Sequence, residues 1–518
     1  MRPIKSAFIK YLLFAVVIVG FFSALQFIPS QGFSDPDGYY HAGAARLISE
    51  GKLHATFPWA YFSTLRESYG DQHYLYHLLL IPMSSLRGMH VSVVIFSSLM
   101  VLAFVWLLRQ FGVKYAAVWG IFLLGSSIDF LFRINVVKAN TLSLILLFAA
   151  IWLLARQKYV WLIPLSALFV WVYGGFVFLP VVAGIYIIAR WFIARKFNLK
   201  PLLWVLAGIA VGLVLHPHFP GLATHLYYQL FQSGLGAGLK VPVGGEWNPY
   251  LLQDLVSANG LALLAFVAAS AIFIVEFGKL RRLKQQEGVI AVFIWLATVF
   301  FLLLTIRSRR FVEYSVPFCV LFAAYVANRI ISEDIITQLK SAWRYWHMRF
   351  FTIVIVWVII LVASFNVSRV QGWLKDSAAP SGLKGSAEWL AQNTRPGEIV
   401  FNTKWDDLPQ LFYWNSSNYY IIGLDPTFLY AYDKDLYWKW RQVADNDPAK
   451  FGNSYDTMRQ LVQGEFQSSY IILENRRDDK LKQFLDDNAA MSNPGSQDGA
   501  EGARQVYTDS YASVYCIK

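Results

Sequence analysis

Cysteine and charge are the two things this chain is short of. Its 518 residues include 2 cysteines, Cys319 inside an apolar run and Cys516 near the end. Such a pair supports neither a disulfide framework nor a cysteine metal knuckle. Only 15% of the residues are charged and 56% are hydrophobic, whereas soluble domains carry about 25% charged residues. No long-period repeat or low-complexity tract interrupts the chain. A net charge of +12 would suit a nucleic-acid binder, but its distribution does not. From Gln371 onward there are 15 basic and 20 acidic residues, so the excess, 30 basic against 13 acidic, belongs to the first 370. There it sits in short loops between apolar runs, as cytoplasmic loops of membrane proteins require, and nucleic acid is not an expected partner.

What the chain has in quantity is apolar sequence. Apolar runs of about 16–21 residues, most of them long enough to cross a bilayer as a helix, recur near 8–28, 89–109, 112–130, 136–156, 158–173, 176–195, 200–216, 257–277, 288–306, 311–331 and 349–368. This predicts an α-helical polytopic membrane protein with about eleven transmembrane helices. The first run follows MRPIK, is too long for a signal-peptide core and lacks an A-x-A site, so it reads as a retained anchor. Basic residues alternate between loops: Arg109 with Lys114, Arg156 with Lys158, Arg195 with Lys196, KLRRLK at 279–284, and Arg344 with Arg349. The positive-inside rule then places the loops 29–88 and 217–256, and everything after 370, outside the cytoplasm. Within the first of these loops, Asp37 opens an amphipathic stretch expected to lie along the membrane surface. Tyr173-Gly174-Gly175 reads as a tight external turn.

After residue 370 the pattern changes. GSAEWLAQNT reads as a helix, EIVFN, NYYIIGL and SSYIILE as strands, and QVYTDSYASVYCIK as a closing hairpin after the polar stretch NPGSQDGAEGA. Two domains are therefore expected: a membrane module over 1–370 and a compact extracytoplasmic α/β domain over 371–518.

Four groups of polar residues share the outer face under this topology, and charge at span ends is a functional signal in a membrane protein. The first is Asp35, Asp37 and His41, in SDPDGYYH, with Asp71, His73 and His77 farther along the same loop. The second is Asp129, in the short loop 129–137 with Arg133, and Lys138 follows it. The third is Glu246, in VGGEWNPY, and the fourth is Arg309, Arg310 and Glu313, in RSRRFVEY. Each has an ordinary alternative. The aspartates can cap a helix, Asp129 and Arg133 can form an i,i+4 pair, and the arginines can anchor lipid headgroups. Glu246 can be a solvated loop residue, the histidines are more often hydrogen-bonded than metal-ligating, and HPHFP at 216–220 reads as a span stop. Together they offer carboxylates for a cation or an acceptor, and arginines for a phosphate.

In this arrangement the chain resembles the GT-C glycosyltransferases, integral-membrane enzymes that use polyprenyl-linked sugars, and in particular the catalytic subunits of oligosaccharyltransferases. The resemblance rests on DPDGYYH…R (Asp35 to Arg46), Asp129, Glu246 and SRRFVEYSVPF (308–318). It extends to AEWLAQNT…KWDDLPQLFY (387–413), where Trp405-Asp406 stands in place of a double-Trp signature. It implies transfer of a sugar or oligosaccharide from a polyprenyl-phosphate or -pyrophosphate donor to a glycan, lipid or protein acceptor at the outer leaflet. Asp35, Asp37, Asp129 and Glu246 would be catalytic, and Arg309 and Arg310 would bind the donor phosphate. Trp405 and Asp406 would bind the acceptor. Asp35, Asp37 and Asp129 would hold Mg²⁺ or Mn²⁺ if a pyrophosphate leaves. The expected location is a bacterial inner (plasma) membrane with the C-terminal domain in the periplasm. The rival is a non-catalytic transporter of lipid-linked glycans or a polysaccharide-assembly protein. A transporter should carry charge mid-span, and here it gathers at span ends.

Overall fold

A computed structural model describes residues 2–27, 32–229, 241–277, 285–329, 337, 341–376, 382–489 and 502–518. The basic loop 279–284, residues 230–240 of the second long loop and most of NPGSQDGAEGA fall outside these residues.

Among the described residues, seven helices are long and apolar enough to cross a membrane: Ile9–Phe27, Leu86–Gln110, Gly174–Ala194, Leu252–Glu276, Gln285–Arg307, Arg309–Arg329 and Trp346–Lys375. The runs expected to cross at 112–130, 136–156, 158–173 and 200–216 form shorter apolar helices, Ala116–Gly125, Asn140–Ala155, Tyr159–Val172 and Lys200–Val214. The expected count of eleven is therefore not reached by full-length helices. The reason is local: Ser126-Ser127 and the bend at 134–139 break what composition alone reads as longer runs. Val312–Arg329 is the enclosed centre of the bundle, whereas Trp346–Asp376 is almost wholly exposed along its apolar length. In a bilayer that exposed surface faces acyl chains, so it costs nothing there.

The C-terminal domain holds one five-stranded sheet of β1 (Ile399–Asn402), β2 (Tyr419–Tyr420), β3 (Tyr470–Glu474), β4 (Ala503–Thr508) and β5 (Ala512–Ile517), in the order β2-β1-β3-β5-β4. β1 runs parallel to β2 and β3, while β5 is antiparallel to β3 and to β4. β1 is buried throughout, which is why its Ile399-Val400-Phe401 stretch shows no polar alternation.

The two parts are joined by the first long loop. Tyr61 N–H donates to Tyr420 O at 2.8 Å and Tyr420 N–H to Trp59 O at 2.9 Å, so a piece of that loop extends the sheet beyond β2. A shared core includes Tyr40, Leu47, Phe57 and Trp59 from the loop with Leu408, Phe412 and Val514 from the domain. The Asp37–Ser49 helix is consequently buried along most of its length. Both of its faces are covered by protein, which its amphipathic pattern alone did not suggest. The domain, absent from the local pattern, covers its other face.

Candidate active site

The site is built where the outer ends of the bundle meet the first loop. Pro36 precedes the Asp37–Ser49 helix, and Asp35 Oδ1 accepts the Asp37 backbone N–H at 3.0 Å. One carboxylate oxygen of Asp35 thus accepts the first N–H of the helix, whose N-cap is Pro36. The other is free for Lys138, whose Nζ lies 2.8 Å from Asp35 Oδ2, 3.0 Å from Asp37 Oδ2 and 3.7 Å from Glu246 Oε2. Lys138 reaches them from the bend between the Ile128–Arg133 and Asn140–Ala155 helices, with 10% of its side chain exposed. Burial works against its charge, but the three carboxylates hold its pKa well above the ordinary lysine value.

Glu246 is the second hub. The short 3₁₀ turn Gly245–Trp247 delivers it between Arg133 Nη1 at 2.9 Å and Arg310 Nη1 at 3.0 Å. Burial would raise its carboxyl, yet Lys138, Arg310 and Arg133 hold it well below the usual carboxylate range. A carboxylate so firmly ionised is a poor proton acceptor, so Glu246 positions the cations. Arg133 also grips Glu313 Oε2 at 2.9 Å. It makes no ion pair with Asp129, so the i,i+4 alternative is not what forms.

Two cavities meet at Arg310. One, of about 450 Å³, is polar and lined by Asp35, Asp37, Lys138 and Glu246, with Trp405 and Asp406 of the C-terminal domain. The other, of about 480 Å³, is apolar and lined by Val177, Phe178, Phe300, Leu304 and Phe311. Arg310 and Trp247 border both. The guanidinium lies 4.7 Å over the Trp247 ring and donates to Tyr173 Oη at 3.0 Å. Tyr173, Trp247 and Glu313 take parts here that the sequence reading did not assign. The signal available was the break at Tyr173-Gly174-Gly175: a Cβ at Gly175 would sit 2.4 Å from Tyr314 Oη, so only glycine lets the wall close.

Of the eight residues expected to form the site, Asp35, Asp37, Glu246, Arg310, Trp405 and Asp406 surround one cavity. Two stand apart. Asp129 accepts a hydrogen bond from Tyr250 Oη, and Arg309 pairs with Asp254 at 3.0 Å and lies over the Tyr250 ring. The expected metal set Asp35, Asp37 and Asp129 is therefore not assembled. Nor does the pair Asp35–Asp37 suit a divalent cation: the Lys138 ammonium occupies the point where such an ion would bind, and like charges at hydrogen-bond range repel. Arg133 and Lys138 were legible only as neighbours of Asp129; Arg133 instead pairs with Glu246 and Glu313, and the bend at 134–139 carries Lys138 to Asp35 and Asp37.

Beside the polar cavity a histidine array surrounds one buried carboxylate. His77 Nδ1 is 2.7 Å from Asp71 Oδ2, and His77 Nε2 is 2.8 Å from His41 Nδ1. Asp71 also accepts the His73 backbone N–H at 2.9 Å, and its own N–H donates to His218 Nδ1 at 3.2 Å. HPHFP thus supplies a contact to this array besides ending a helix. Burial pushes Asp71 up, but His77 and His73 outweigh it and hold the carboxylate ionised. One nitrogen from each of His41, His73 and His77 falls within 4.8 Å of the others. Two nitrogens on one tetrahedral zinc lie about 3.3 Å apart, so the His41–His77 distance of 2.8 Å is that of a hydrogen bond.

This geometry can be set beside known proteins. ArnT from Cupriavidus metallidurans, in a crystal structure with undecaprenyl phosphate bound, superposes with a TM-score of 0.57 at 14% identity, covering 98% of this chain and 97% of ArnT. Its apo structure gives a TM-score of 0.57 at 13% identity, covering 98% of both chains. The fold is that of ArnT. Residues 246–414 also match the Alg9-like mannosyltransferase family model, a span running from Glu246 through both arginines to the helix after Trp405. No curated protein sequence matches the chain significantly. The likeness to ArnT spans nearly the full length, membrane helices and C-terminal sheet alike.

Proposed function

We propose that this protein moves a sugar from a polyprenyl monophosphate to an acceptor at the outer face of a bacterial inner membrane, with the C-terminal domain in the periplasm. The observation that carries the reading is Arg310, the cation shared by a polar chamber and an apolar groove. A lipid phosphate needs such a boundary: its isoprenoid tail suits the Phe178–Phe300–Phe311 wall, its phosphate the guanidinium, and its sugar the chamber. The undecaprenyl phosphate bound by ArnT is a donor-like lipid of this class. The Alg9-like description favours a hexose such as mannose. A monophosphate is preferred because the carboxylates already enclose Lys138, leaving the leaving-group charge to Arg310 and not to a metal.

In this reading the leaving phosphate is stabilised by Arg310, which Glu246 and Tyr173 orient. Asp37, with 42% of its side chain open toward the chamber, is the carboxylate that holds the acceptor; Asp35 and Lys138 fix its position. Trp405 and Asp406 roof the chamber and give the acceptor a stacking face and a hydrogen-bond acceptor. The test is reconstitution of the full chain in lipid nanodiscs with undecaprenyl-phosphate hexoses. Saturable binding of undecaprenyl phosphate that Arg310→Ala weakens at least about tenfold is expected. Binding unchanged by that substitution would overturn the donor assignment.

A further inference from the structure

We propose that His41 takes the proton from the acceptor during transfer, with His77 and Asp71 as the residues that position it. The inference rests on the transferase reading and adds the acceptor class. Hydrogen bonding sets the tautomers in turn. Ionised Asp71 only accepts, so His77 donates from Nδ1 and, when neutral, presents Nε2 as an acceptor. His41 must then donate from Nδ1, which leaves the Nε2 lone pair free. His41 lines the polar chamber together with Asp37, and its Nε2 has no partner among the described residues. It is not sealed off either, whereas both ring nitrogens of His225 are buried and unpaired.

The groups facing His41 agree with a neutral ring waiting for a proton. Asp37 and Tyr40 come from its own helix, His73, Tyr76 and His77 from the next segment, and Lys138 from across the chamber. Burial foremost, with the Lys138 ammonium, disfavours the charged ring. As the acceptor oxygen bonds to the anomeric carbon, the bond from that carbon to the phosphate oxygen breaks and its electron pair leaves on the phosphate. The acceptor's proton passes to His41 Nε2, and the Nδ1 proton can move on to His77, beside the Asp71 carboxylate. Asp35 and Asp37 are occupied by the Lys138 ammonium and hold geometry instead. Such a relay is needed for an acceptor that carries a proton on its nucleophile. An ionised phosphate needs none. The acceptor is therefore a hydroxyl, as on a sugar or a glycolipid.

The test uses full-length protein in nanodiscs, tritiated undecaprenyl-phosphate mannose and envelope lipids from cells lacking the gene, across about pH 5 to 8. His41→Gln is expected to lower transfer at least about a hundredfold with undecaprenyl phosphate binding unchanged. Asp71→Asn, nearly isosteric, is expected to lower it about tenfold or more by allowing the wrong tautomer, and to shift the acid limb of the pH profile. Nitrogen NMR of imidazole-labelled protein gives a readout independent of turnover: His41 should be neutral and protonated at Nδ1, and Asp71→Asn should abolish that preference. A His41→Gln variant with wild-type rate and acid limb would overturn the relay. So would an Nε2-protonated His41, or one zinc per purified chain that His73→Ala removes. Absence of mannose transfer by wild-type protein would count against the donor reading, while the NMR result would still decide the relay.

Discussion

Lys138→Met removes the cation that Asp35 and Asp37 share. Arg133 and Arg310 still pair with Glu246, so only the two aspartates lose their partner. Breaking a buried ion pair from one side costs about 3–5 kcal/mol. Asp35 is 21% exposed and draws most of that cost, whereas Asp37 at 42% is screened by solvent and its share is discounted. An upper bound comes from protonation: neutralising one aspartate at pH 7 costs about 1.4 kcal/mol for each of about three pH units, or about 4 kcal/mol. The expected loss is therefore about 2–4 kcal/mol at pH 7. The sign with pH follows. Burial already holds the Asp37 carboxyl above the usual carboxylate range, and loss of Lys138 raises it further, so the folded variant binds protons more tightly and regains stability as pH falls. Thermal melts of purified protein at pH 7 and about pH 5 should show the deficit shrinking at the lower pH. Adding Asp35→Asn and Asp37→Asn should recover most of it. A deficit that is absent, or equal at both pH values, would refute the account of Lys138 as the counter-charge. Wild-type transfer abolished by EDTA and restored by Mg²⁺ would refute it from the other side.

The arginines should separate. Arg310→Ala is expected to weaken undecaprenyl phosphate binding at least about tenfold, and Arg310→Lys to recover it in part; Arg309→Ala, facing Asp254, should change it less than about threefold. The aspartates should separate likewise in a transfer assay. Asp37→Asn is expected to lower transfer at least about tenfold by loosening the hold on the acceptor, whereas Asp129→Asn, which keeps an oxygen for Tyr250, should cost little. Trp405→Ala is expected to raise the acceptor KM several-fold and leave donor binding unchanged, because Trp405 lines the polar chamber and not the apolar groove. Cysteines placed beside Asp37, Glu246 and Trp405 should react with an impermeant thiol reagent once the outer barrier is opened. Reaction at the 279–284 loop instead would invert the topology.

Much of this protein is decided one residue at a time. Apolar runs must be helices because a bilayer offers no partner for unpaired backbone, so the membrane module and its alternating basic loops were legible without coordinates. So were most of the strands near the C-terminus, since alternating and fully apolar runs of four to seven residues make strands; β1, β3 and the final hairpin lie where EIVFN, SSYIILE and QVYTDSYASVYCIK do. NYYIIGL was over-read: only Tyr419 and Tyr420 pair, because the first loop completes that edge. The polar groups that gather at span ends were legible for the same reason, as charge is excluded from the spans themselves. Which of them meet was not. Asp129 and Asp37 look alike in sequence, yet a bend at 134–139 sends Lys138 to Asp37 and leaves Asp129 with Tyr250, 121 residues away. Arg309 and Arg310 are neighbours, but a 3₁₀ turn aims one at Asp254 and the other into the junction of two cavities. Side-chain direction at a helix end and contact across hundreds of residues are properties of packing, and only the tertiary structure decides them.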